Sequence, residues 1–114
     1  MAFSELELKL IENTVGKMCQ NRSPAHLRDQ LRMTYKIINQ SVEVYEARPR
    51  WKNPEEWTNM GVAKFLHIRT FKKWKLYWMR EDLKWNLYRA LPESATIERL
   101  VEEVDKDPYG AFFG

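Results

Sequence analysis

The chain has 114 residues, 44% of them hydrophobic and 31% charged, with 19 basic against 16 acidic side chains and a formal net charge of +3. That length suits one domain, residues 1–114, able to bury about two-thirds of its unfolded surface, and the apolar content excludes a disordered chain. A lone cysteine, Cys19, excludes an internal disulfide, and no apolar run approaches the roughly 18 residues of a membrane span, so a cytoplasmic protein with no membrane partner is expected.

Ser4 and Glu7 have the spacing of a capping box, with Phe3 placed to staple onto Leu8, so a helix starts at Ser4 and buries Leu8, Ile11, Val15 and Met18. It is expected to fray over 16–21, after which Ser23 and Pro24 offer a cap and a first-turn proline for a short turn through AHLRDQ. The period then changes to two. Leu31, Met33, Tyr35 and Ile37 alternate with Arg32, Thr34 and Lys36, and Asn39-Gln40 turns this strand into a second one, SVEVYEA. Proline has no amide hydrogen for a ladder, so Arg48-Pro49-Arg50 ends that strand.

Asn53, Pro54 and Glu56 supply an N-cap, a first-position proline and a third-position glutamate, which predicts a brief helix over 55–60, stopped by Gly61 and anchored by Trp51 and Trp57. Three more strand-like runs follow, VAKFLHIRTF, WKLYWMR and LKWNLYR, joined at Lys72-Lys73 and Glu81-Asp82. Beyond Leu91-Pro92, the helical spacing of Ile97, Leu100, Val101 and Val104 predicts a helix capped by Ser94 and ended before Pro108, with the apolar tail YGAFFG after it. The pattern as a whole is α+β: a single twisted antiparallel sheet of about five strands, a hairpin plus a three-strand meander, with N-terminal and C-terminal helices packed on it.

HLRDQLR (26–32), EARPRW (46–51), LYWMREDLKW (76–85) and EVDKDPYGAFFG (103–114) together resemble the bacterial family catalogued as domain of unknown function 3024. The resemblance covers almost the whole chain and rests on long, tryptophan-rich strings. It implies bacterial origin and one full-length domain, and it brings no activity, cofactor or assigned site with it.

Function is sought where charge is segregated. Residues 62–89 hold eight Lys or Arg against Glu81 and Asp82, a local charge of +6. Sorting the strands by parity puts Leu31, Met33, Tyr35, Ile37, Val42, Val44, Leu66, Ile68, Trp74, Leu76, Trp78, Leu83, Trp85 and Leu87 on one face, read as core. The opposite face then collects Phe65 with the candidate binding residues Arg32, Lys36, Tyr45, His67, Arg69, Lys75, Tyr77, Lys84 and Tyr88. Cations interleaved with rings suit single-stranded nucleic acid, whose phosphates need Lys or Arg and whose unstacked bases gain about 1–3 kcal/mol each on a ring. The same pattern also arises when Tyr and Lys side chains merely cover strand surface or guard a sheet edge, as Lys64, Lys72, Lys73 and Lys75 would.

Two other classes stay open. A protein-interaction or self-association module would use Trp51, Trp57, Tyr109, Phe112 and Phe113, large groups on irregular segments, with the acidic stretch 91–114 as a counterpart to the basic sheet. A metal-independent ribonuclease of the small-toxin type would use His67, Arg69, Lys75, Tyr77 and Arg80, by analogy of architecture alone. Other enzyme readings lack a nucleophile elbow or a phosphate loop, His26 and Asp29 read as a surface pair, and Cys19, His26 and His67 have no zinc-ligand spacing. A non-enzymatic binding module without metal or cofactor is the expectation.

Overall fold

The Ser4 capping box closes as its spacing requires: the Ser4 amide donates to Glu7 Oε1 at 2.8 Å and the Glu7 amide to Ser4 Oγ at 3.2 Å. In the computed structural model, which describes residues 3–113, α1 (Glu5–Ile11) begins there. The helix does not fray at Gly16. It passes through a π-helical stretch, Glu12–Gly16, into α2 (Lys17–Asn21), and the wider turn coincides with Thr14 donating its hydroxyl back to the Leu10 carbonyl at 2.7 Å. Ile11, Val15 and Met18 are buried, whereas Leu8 is 41% exposed; Phe3, expected on Leu8, instead stacks on Trp74 at 5.7 Å.

Five strands follow in simple order, each antiparallel to the next: β1 (Arg32–Ile38), β2 (Ser41–Pro49), β3 (Trp57–Ile68), β4 (Lys73–Met79) and β5 (Trp85–Leu87). A two-residue β6 (Glu93–Ser94) also pairs with β4, and α3 (Ile97–Lys106) closes the fold. The architecture is α+β, an open antiparallel sheet with its helices on one face. Among the described residues no helix is long and apolar enough to cross a membrane.

The helix predicted over 55–60 is absent. The Asn53-Pro54 signal makes a turn, with the Glu56 amide on the Asn53 carbonyl at 3.0 Å, and β3 starts at Trp57 opposite Pro49. Cap and turn chemistry are the same locally, and the long β2–β3 ladder decides between them. At the other end, α3 takes Thr96 as its N-cap, while Ser94, two residues earlier, accepts the Thr96 amide at 3.2 Å.

The faces of β3 and β5 are the reverse of the parity reading. In register, Val42 lies beside Phe65 and Leu76, Val44 beside Ala63 and Trp78, and His67 beside Trp74. Paired residues share a face, so Phe65 joins Val42 and Leu76 in the core, all at 0% exposure, and Leu66 and Ile68 turn outward. Likewise Asn86 pairs with Trp78 and Tyr88 is buried, which sends Trp85 and Leu87 to the other side; Leu83 stands 69% exposed in a turn at φ 61°. Trp74 and Trp78 therefore share the core face, but Trp85 does not. The helices α1, α2 and α3 cover this core, and Ile11, Ile97, Leu100 and Val104 fill the space beneath them.

Candidate functional site

The face opposite the helices is uncovered, and the strand register orders its side chains into rows. One row runs Lys36, Glu43, Lys64, Tyr77, Leu87 from β1 to β5. The next holds Thr34, Tyr45 and Gly61, followed by the pair Met79 and Trp85. On the other side Ile38, Ser41, Leu66, Lys75 and Glu93 line up. At the far end Arg32, Ala47 and Asn59 precede Trp57.

A bulge shapes the middle. Val44 pairs with Ala63 but Tyr45 with Gly61, so Val62 is the extra residue of β3 and is buried at 3% exposure. Gly61 is where the surface dips: a Cβ there would lie 2.6 Å from Met79 Cε and 3.0 Å from Trp85 Cη2. Those two side chains lie on the bare backbone, and Trp85 meets the Tyr45 ring edge-on at 6.3 Å.

Rings and cations occur here as pairs. The Arg32 guanidinium sits 4.1 Å over Trp57, the Lys36 ammonium 4.8 Å over Tyr45 and the Lys64 ammonium 5.9 Å over Tyr77. Glu43 lies between Lys36 and Lys64 at only 8% exposure and accepts the Tyr45 hydroxyl, which fixes that ring. Burial, then the Glu43 carboxylate, push the Tyr45 phenol up to about 12, so it stays a neutral donor. On the strands of this face Arg32, Lys36, Lys64, Lys73 and Lys75 stand against Glu43 and Glu93, so the surface is basic.

Of the sequence-derived binding residues, the structure brings Arg32, Lys36, Tyr45, Lys75 and Tyr77 together on this face. Lys84 lies in the β4–β5 turn, exposed. Tyr88 is on the helix side, 4% exposed, with its hydroxyl donating to Glu103 of α3 at 2.8 Å. His67 and Arg69 are also on the helix side of the sheet's end, where they hold α1: Arg69 Nη2 is 2.9 Å from Glu7 Oε1, and His67 Nδ1 is 3.7 Å from Glu7 Oε2. The Ser4 amide, helped by Arg69, holds the Glu7 carboxyl below its ordinary value, while burial lowers His67 against the pull of Glu7. The ribonuclease candidates are thus divided, with His67 on one face, Lys75 and Tyr77 on the other, and Arg80 reaching over Trp78 beyond β4.

Lys64, Glu43 and Trp85 of the uncovered face escape the parity reading, as do Leu66, Ile68 and Leu87, which it places in the core. Lys64 is in a central strand, so it guards no edge. Their common signal is the ladder register, which places each beside a residue already on that face. Of the interaction candidates, Trp51 is 87% and Tyr109 75% exposed, Trp57 is half-buried under Arg32, and Phe112 is packed on Tyr88 at 4.9 Å. Phe113 is half-buried beneath the Arg22 guanidinium at 3.6 Å. Among the described residues no three His, Cys, Asp or Glu are grouped to hold a metal ion, and burial pushes the Cys19 thiol up to about 11.

Searches of curated proteins and of solved structures return no match for this chain. A family model described as Domain of unknown function (DUF3024) matches residues 3–114, nearly the full length, and the chain belongs to that family.

Proposed function

We propose that the protein is a non-enzymatic, cytoplasmic binding module whose uncovered sheet face takes single-stranded nucleic acid. The observation that carries this reading is the set of three ring–cation pairs, Arg32 with Trp57, Lys36 with Tyr45 and Lys64 with Tyr77, on one basic surface with no helix over it. Rings offer stacking platforms to any base and the cations meet the phosphates, the combination used by sequence-tolerant single-strand binders. The division of the ribonuclease candidates between two faces favours binding over cleavage.

The test is fluorescence anisotropy with labelled DNA and RNA of mixed sequence, about 12 nucleotides long, starting at about 50 mM salt. If Lys36, Lys64 and Lys75 each neutralise one phosphate, the log–log salt slope is about −2, at roughly −0.7 per contact. Lys75→Ala makes the slope shallower by one such step, and Tyr77→Ala weakens binding at constant slope. Absence of binding at the lowest salt removes this reading. Shortened RNA would replace it with a ribonuclease, and a dimer by light scattering without nucleic-acid binding would replace it with an interaction module.

A further inference from the structure

β1 is the outermost strand on its side of the sheet, with β2 on its inner edge. Its outer edge is partly used. The Met33 amide donates to Ser23 Oγ at 2.6 Å, which shows that odd-numbered residues of β1 direct their main-chain groups away from β2. Tyr35 and Ile37 follow in the same alternation, and among the described residues no strand pairs with β1 on this outer side.

Beside this edge the helix and strand diverge around a cavity of about 590 Å³. Gly16, at the end of the π-helical stretch, marks one wall: a Cβ there would lie 3.5 Å from the Tyr35 ring. Met33 and Tyr35 form the strand side, Lys17, Arg28 and Arg32 bring positive charge, and Glu12 is the one acid of the lining. A helix flanking an unpaired strand edge is the arrangement in which an extended segment adds to a sheet, its backbone held by the edge and its side chains by the groove. π-helical turns also recur at functional sites, and this one widens the helix where the groove opens.

We propose that this groove binds an acidic, extended peptide segment of a partner protein, which adds to the sheet along Tyr35–Ile37 and sets its carboxylates against Lys17, Arg28 and Arg32. Charge selects the occupant. A second copy pairing edge to edge would bring Arg32 and Lys36 to both sides of the seam, where like charges oppose each other. The groove meets the uncovered face only at Arg32 and Thr34, and its occupant is tested without nucleic acid.

The full-length chain is panned against a random-peptide phage library, and the enriched sequence is synthesised as the probe. Acidic residues should be enriched and proline depleted, and the peptide should shift the Tyr35 and Ile37 amide resonances and slow their hydrogen exchange. Ile37→Pro deletes one outward amide without touching the β2 ladder, so it should abolish binding with the far-UV spectrum retained. Lys17→Glu, at an exposed position, should weaken the peptide by about tenfold. Should Ile37→Pro fail to fold, the Lys17→Glu affinity and the amide shifts decide. The proposal is overturned by failure to enrich any sequence, by a pool without acidic bias, or by a bound peptide that leaves Tyr35 and Ile37 unmoved. A dimer whose Tyr35 and Ile37 amides are already protected without peptide also overturns it, in favour of a second copy.

Discussion

Phe65→Ala and Leu66→Ala are adjacent truncations that read the orientation of β3 directly. Phe65 is fully buried between Val42 and Leu76, themselves at 0% exposure, so its removal leaves a void that rigid neighbours cannot fill. Such truncations cost about 3–5 kcal/mol. Leu66 lies on the uncovered face between Ser41 and Lys75 and is half-buried. Three carbons at about 0.8 kcal/mol each, reduced because part of the side chain is already wet, give about 1 kcal/mol. Urea denaturation followed by tryptophan fluorescence separates the two, provided the slope m is unchanged, since the difference then appears wholly as a midpoint shift. A loss at Leu66 equal to or larger than that at Phe65 would refute the register. Lys64 would then face the helices, and the surface carrying Lys36, Tyr45 and Tyr77 would lose its centre.

Tyr88→Phe removes the hydrogen bond to Glu103 and should cost about 1–3 kcal/mol of stability in a urea titration while leaving oligonucleotide affinity unchanged. Reduced affinity at full stability would return Tyr88 to the binding surface. Asp107, at φ 44° after α3, accepts the amides of Phe112 and Phe113 at 3.1 and 2.8 Å, so Asp107→Ala should release the tail, costing about 1–3 kcal/mol and exposing it to limited proteolysis. A tail that stays resistant would contradict that anchoring. His67 has a folded-state pKa below its unfolded value near 6.5, so the unfolded chain binds the proton first and stability should fall as pH drops through that value toward the folded pKa. Denaturation midpoints between about pH 5 and 8 should show this loss and His67→Gln should remove it, whereas a midpoint that rises on acidification would contradict the sign.

Local signals in the sequence are strong where one residue type answers one backbone need. The Ser4 capping box, the Asn39-Gln40 turn with Asn39 at φ 55°, and the stripe Ile97, Leu100, Val101, Val104 all fold as their spacing predicts. The faces of β3 and β5 were not readable because both parities carry apolar residues: Phe65 competes with Leu66, and Tyr88 with Leu87. Only pairing to β2 and β4 resolves that choice, and pairing is long-range information. The same holds at 53–57, where cap and turn share a signature and the ladder from Pro49 to Trp57 selects the turn. The part of the uncovered face carried by β1, β4 and Tyr45 of β2 is legible in the sequence, because the alternation there is unambiguous, and the part built from β3 and β5 is not.

The ring–cation pairs also determine how the proposed ligand competes for the uncovered face. A Lys ammonium over an exposed ring is worth about 0.5–1 kcal/mol, less than the roughly 1–3 kcal/mol of a base stacked there, so a bound base would displace the cation and free it for the neighbouring phosphate. In Lys64 and Tyr77, 5.9 Å apart, the two roles are coupled within one pair. Lys64→Ala should therefore make the salt slope shallower by about 0.7, through the lost phosphate contact, yet leave Tyr77 uncovered and easier to stack on. Extrapolated to about 1 M salt, where phosphate contacts contribute little, the variant should bind as well as the parent or a few-fold better. Lys64→Ala losing affinity at high salt with an unaltered slope would mean that its ammonium orders the Tyr77 ring and touches no phosphate, and the exchange of cation for base would have to be abandoned.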